Sequence, residues 1–181
     1  MGLTTERLAY SDSYWDDALC NIGALSSGAV PADPINFGPS GTRPKVYGFG
    51  VGEDMDGTMQ LSHRYLEGTD IRFHVHWAPA GSGGGNVQWE LSYYWLNVDT
   101  EADAAPTVIT TEVAAGTTAW KHQIAGFTAL TGTGKHISSI LVFKIKRIAA
   151  SSSELASDAA LLSVDAHFEI DSPGSRETLT K

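Results

Sequence analysis

From Lys45 onward, apolar and polar residues take turns along the chain. The clearest stretch runs over 71–77, with Ile71, Phe73, Val75 and Trp77 on one face and Arg72, His74 and His76 on the other. A period of two is the signature of a half-buried strand, because successive side chains point to opposite faces of a sheet. The same alternation marks 58–66 (Met59, Leu61, His63 and Tyr65 against Thr58, Gln60, Ser62 and Arg64) and 86–98 (Val87, Trp89, Leu91, Tyr93 and Trp95 on one face). Further strands are predicted over 45–51, 106–115, 118–127, 136–148 and 159–170. Turn residues separate them, and no long helical pattern appears. About eight antiparallel strands of this kind predict an all-β antiparallel sandwich, jelly-roll-like, over 45–181. The Gly/Ser-rich stretch 78–86 reads as an exposed hairpin loop. It lacks the Lys-Ser/Thr ending of a phosphate-binding loop, and a strand follows it.

The first 44 residues break the pattern. They hold Pro31, Pro34, Pro39 and Pro44, four of the seven prolines. Proline has no amide hydrogen to give to a sheet, so 1–44 reads as an irregular arm lying along a neighbour. A short helical turn capped by Ser13 is predicted over Ser13–Cys20.

Composition narrows the function classes. Charged residues make up 18% of the chain and the net charge is −9, which disfavours phosphate-rich partners, so no nucleic acid is expected. Cys20 is the one cysteine; it excludes an internal disulfide and reads as a small buried hydrophobe. The N-terminal residues hold no apolar run of signal-peptide or membrane-span length. A soluble chain made in the cytoplasm is expected, with no membrane partner.

The histidines are the main chemical lure. His74 and His76 lie two apart on one strand, so both imidazoles share a face and could fill two positions of a metal site. His63 could join from the preceding strand, and Asp165, His167 and Glu169 share a face of the last strand. A cupin-like metal-dependent enzyme would need such a set, with His74, His76 and His167 as metal candidates. The spacing argues against it: after His76 the first glutamate is Glu90, on the next strand. No Gly-x-Ser-x-Gly elbow is present. Trp77, Trp89 and Trp95 fall on apolar faces, which favours core packing over sugar stacking. No catalytic residue, cofactor or metal is therefore expected, and His74 and His76 are read as pairing with acidic neighbours or with another subunit.

Lys144, Lys146 and Arg147 form a local basic cluster. If 136–148 and 159–170 form a hairpin, Lys144 and Lys146 can face Asp165, His167 and Glu169 across it. Ile140 and Val142 make the lysine face partly apolar, as on a strand covered by a neighbouring subunit. The interface candidates are thus Arg72, His74, His76, Lys144, Lys146, Asp165, His167 and Glu169.

The segment Glu67-Gly-Thr-Asp-Ile-Arg-Phe-His-Val-His-Trp-Ala-Pro79 resembles a motif of small virion proteins of tailed phages, with Phe73 where that motif has proline. Lys121–Ala125, Gly132–Ser139 and His167–Arg176 are similar to further parts of the same family. The resemblance spans 57–181 and implies a non-enzymatic component of a bacteriophage virion. Capsid decoration or cement is the role expected, as a homo-oligomer, a trimer first, docked on major capsid or other virion proteins. A head fibre, collar or tail module binding host glycan is the alternative.

Overall fold

The computed structural model describes residues 13–23, 28, 30–41, 43–178 and 180. Eight strands follow Lys45, as the alternation predicts: β4 (Lys45–Phe49), β5 (Asp54–Gln60), β6 (Arg72–Pro79), β7 (Gly85–Leu96), β8 (Thr107–Ala115), β9 (Gln123–Gly126), β10 (Ile140–Ile148) and β11 (Ala159–Ile170). One sheet orders β4-β11-β6-β9 and the other β5-β10-β7-β8, all antiparallel. Consecutive strands change sheet at every step except the hairpin β7–β8. That winding is a jelly roll, the double-sheet solution to the exposed-edge problem.

Three more strands precede the eight: β1 (Tyr14–Leu19), β2 (Asn21–Ile22) and β3 (Asp33–Asn36). They correct the reading of 1–44 as irregular over the residues described there. Where described, this segment lies along its own sandwich: β1 on β11, β2 on β5 and β3 on β4. The helical turn over Ser13–Cys20 is a strand instead. Beyond Leu161 the edge of β11 has no β4 residue opposite it, and β1 fills that vacancy, pairing Tyr14–Leu19 with Ile170–Asp165. Pro34 fits because β3 is an edge strand. Residues 1–12, 24–27, 29 and 42 of the expected arm lie outside the described residues.

The inner faces pack as the alternation requires. Trp77 and Trp89 are fully buried, and Phe73 meets Phe143 edge-to-face across the two sheets with centroids 5.4 Å apart. Some expected strands are shorter than predicted. The 58–66 run leaves the sheet after Gln60, and only Gln123–Gly126 of 118–127 is paired. Arg147 is not part of a surface basic cluster: it faces inward beside Leu141, Phe143 and Ile145 on β10 and is 1% exposed.

The segments 67–79, 132–139 and 167–176 meet at one end of the sandwich. Leu66 N–H donates to the Glu169 carbonyl at 2.7 Å, Gly68 N–H to the Lys135 carbonyl at 3.0 Å, and Ile137 N–H to Glu67 Oε1 at 2.9 Å. Gly132 N–H donates to Asp70 Oδ1 at 3.0 Å, and the Tyr65 hydroxyl donates to the Thr69 carbonyl. His63 also belongs here, between the hydroxyls of Ser138 (2.8 Å) and Ser175.

Candidate functional site

β10 and β11 lie in different sheets, so the expected hairpin between them does not form. The charges that were to meet across it are on opposite outer faces of the molecule. Lys144 stands between Asp56 on β5 and Ser92 on β7, and Lys146 between Asp54 and Glu90. The remaining candidates share the outer face of the β4-β11-β6-β9 sheet. The reason is register: β11 pairs with β6 so that Asp165 lies opposite His74, His167 opposite Arg72, and Ser163 opposite His76. A bulge between Leu161 and Ser163 sets this phase, turning Val164, Ala166 and Phe168 inward and the residues between them outward.

Asp165 is the centre. Its Oδ2 lies 3.0 Å from His74 Nε2 and its Oδ1 3.0 Å from His76 Nε2. Asp165 and His74 are both buried, at 6% and 8% exposure. Burial holds the His74 imidazole below its ordinary pKa; the Asp165 carboxylate pulls the other way, and His167 and His76 add to the lowering. The neutral ring is thus favoured. Two more histidines close the group. His122 stacks on His76, its Nε2 2.7 Å from His76 Nδ1. His167 meets His74 edge-on at 4.4 Å between centroids, and its Nε2 contacts Asp17 Oδ1 on β1 at 2.6 Å.

Arg72 is drawn off to the side, its guanidinium 5.5 Å over the Trp15 ring. Glu169 pairs in register with Trp15 and lies outside the cluster. Sequence reasoning missed Asp17 and His122. Asp17 sat in the stretch read as irregular. His122 is two residues before Ile124, which is paired with His76, and that period of two was the available signal.

On the opposite outer face, β10 keeps Ile140 and Val142 exposed at 38% and 42%. A groove of about 640 Å³ runs beside them, lined among others by Thr58, Tyr94, Pro106 and Val142.

The fold and the two faces define a jelly-roll β-sandwich with a histidine–aspartate cluster on one outer face and an apolar groove on the other. No protein-family model matches the chain, and no curated protein sequence matches it. Among solved structures, one titled "Structure of Eiger TNF from S. frugiperda" is similar, with a TM-score of 0.36 and 12% identity over 91% of this chain and 98% of that one.

Proposed function

We propose that this chain is a non-enzymatic structural protein of a tailed-bacteriophage virion, a capsid decoration or cement protein that docks as a homo-oligomer, a trimer first. The virion part of this reading rests on the sequence resemblance over 57–181. The observation that carries the oligomer is the apolar end of the outer face of β10, with Ile140, Val142 and the groove beside them. A sandwich buries one face of each sheet, and an apolar patch left on the other marks an interface. A second copy bringing the same patch in closed rotational symmetry would cover it without leaving open ends.

The histidine cluster does not favour the cupin-like enzyme. It lies on an outer sheet face rather than inside the sandwich, and His167 has 42% of its side chain exposed. Two measurements test the proposal. Light scattering on purified protein should give a multiple of 19.3 kDa. Quantifying the chain in purified particles should give hundreds of copies; a few to tens would replace decoration by the fibre, collar or tail reading, and absence from particles would remove the virion reading altogether.

A further inference from the structure

The cross-strand pair His74–Asp165 with its diagonal neighbour His76 has the donor set and spacing of a metal site. We infer that His74 Nε2, His76 Nε2 and Asp165 bind one divalent transition-metal ion of the zinc, cobalt or nickel type on the outer face of the β4-β11-β6-β9 sheet. This inference is independent of the virion reading.

The distances fit. The three ligand atoms all lie within 4.8 Å of one another, and each imidazole nitrogen is 3.0 Å from a carboxylate oxygen. Two donors bound about 2.1 Å from one ion, at tetrahedral or octahedral angles, stand roughly 3.0–3.4 Å apart. Imidazole with carboxylate suits zinc, cobalt and nickel rather than calcium or magnesium, which take oxygen ligands.

The hydrogen bonding fits a metal better than a set of ion pairs. If His76 held Asp165 as an imidazolium, its Nε2–H would point at Oδ1. Among the described residues Oδ1 is buried and accepts no hydrogen bond, although Nε2 is 3.0 Å away. The contact thus has the distance of two co-ligands without the direction of a donor and acceptor. A buried carboxylate oxygen without a partner is costly unless something else satisfies it.

The surroundings supply orientation. His122 Nε2 faces His76 Nδ1 at 2.7 Å, so with His76 protonated at Nδ1 it accepts that proton's hydrogen bond. That arrangement leaves the Nε2 lone pair of His76 free for the ion, and holding a ligand's tautomer in this way is the role of an outer-shell partner in metal sites. His122 is therefore a positioning residue. His167 and Asp17 form a second group with Asp165, within 4.8 Å, on the more exposed side. Three ligands from the chain leave at least one position on the ion for water or another donor.

The test is a calorimetric titration of chelator-treated, gel-filtered full-length protein with Zn²⁺ alone, repeated with Co²⁺ followed by its visible absorption. One ion per chain is expected, with cobalt bands showing nitrogen ligation. His76→Gln and Asp165→Asn should each weaken binding at least tenfold, and His122→Ala about ten- to a hundredfold. His136→Gln, whose ring contacts Glu67 at the loop end, should bind like the wild type. Near-UV circular dichroism checks each fold; if Asp165→Asn fails to fold, the more exposed His76→Gln decides. No binding by the wild type overturns the inference, and so does binding that His76→Gln leaves unchanged.

Discussion

Arg147 donates through Nη2 to Glu154 Oε1 at 2.7 Å from a side chain that is 1% exposed, while Glu154 stays one-third exposed. The guanidinium does more than pair with a carboxylate. It also donates to the carbonyls of Phe49 (2.7 Å), Ser157 (2.8 Å) and Leu155 (2.5 Å), tying the end of β4 to the loop before β11. Arginine's planar fork suits this; an ammonium cannot span it. Arg147→Met should cost about 3–5 kcal/mol, because it strands the carbonyls of Phe49, Leu155 and Ser157 inside the fold. Glu154→Gln should cost less, about 1–2 kcal/mol, since the amide oxygen still accepts from Nη2 although the buried guanidinium loses its counter-charge. Urea denaturation of the two variants checks the order.

Gly132 should not accept a side chain. A Cβ there would stand 1.6 Å from the Thr69 carbonyl oxygen and 2.6 Å from the Tyr65 hydroxyl. Backbone cannot step aside without breaking the network that joins the 67–70, 132–139 and 167–171 segments. Gly132→Ala should lose about 3 kcal/mol. Gly83→Ala, where a Cβ meets nothing within 4 Å, should stay within about 0.5 kcal/mol. Equal melting temperatures for the two would sink this account of the loop end.

Alkaline pH should destabilise the fold in two steps. Burial pushes the Tyr65 hydroxyl from 10.0 up to about 12 and pushes the Cys20 thiol up from 9.0, with the Asp165 carboxylate adding to the latter. Both groups keep their protons in the folded chain where the unfolded chain would release them. Stability is therefore full below 9.0 and falls as pH rises, first as the unfolded chain's thiol ionises and then through the tyrosine window between 10.0 and about 12. Tyr65→Phe should flatten the upper step. At pH 8, a thiol reagent should label Cys20 slowly in buffer and quickly in urea.

The alternation carried the strand body because it records a local fact, which face of each strand meets the core. Trp77 and Trp89 are buried where the period of two put them. Strand partners are a non-local fact, and there the reading of Lys144 and Lys146 against Asp165, His167 and Glu169 failed. Sequence neighbours were assumed to pair, but a jelly roll sends β10 and β11 to different sheets. Asp165 opposite His74 was equally out of reach, since that register depends on the bulge at Leu161/Ser163. β1 was missed for another reason. An edge strand with exposed Tyr14, Trp15 and Leu19 shows no buried face to betray it.

The exposed apolar end of β10 leads to a prediction about assembly. Val142 is 42% exposed and lies between Thr58 on β5 and Tyr94 on β7, beside the groove. A carboxylate in its place meets no core, so Val142→Glu should change the stability of the isolated chain by no more than about 0.5 kcal/mol. In an interface formed by the same patch on each copy, the same change buries a like charge once per subunit around the symmetry axis. The variant should therefore run as a folded 19.3 kDa monomer at concentrations where the wild type associates. Leu19→Glu, on the histidine face, replaces a side chain that is 76% exposed and should leave association intact. If Leu19→Glu breaks the oligomer and Val142→Glu does not, the copies meet through the histidine face, and the groove beside β10 is free for a different partner.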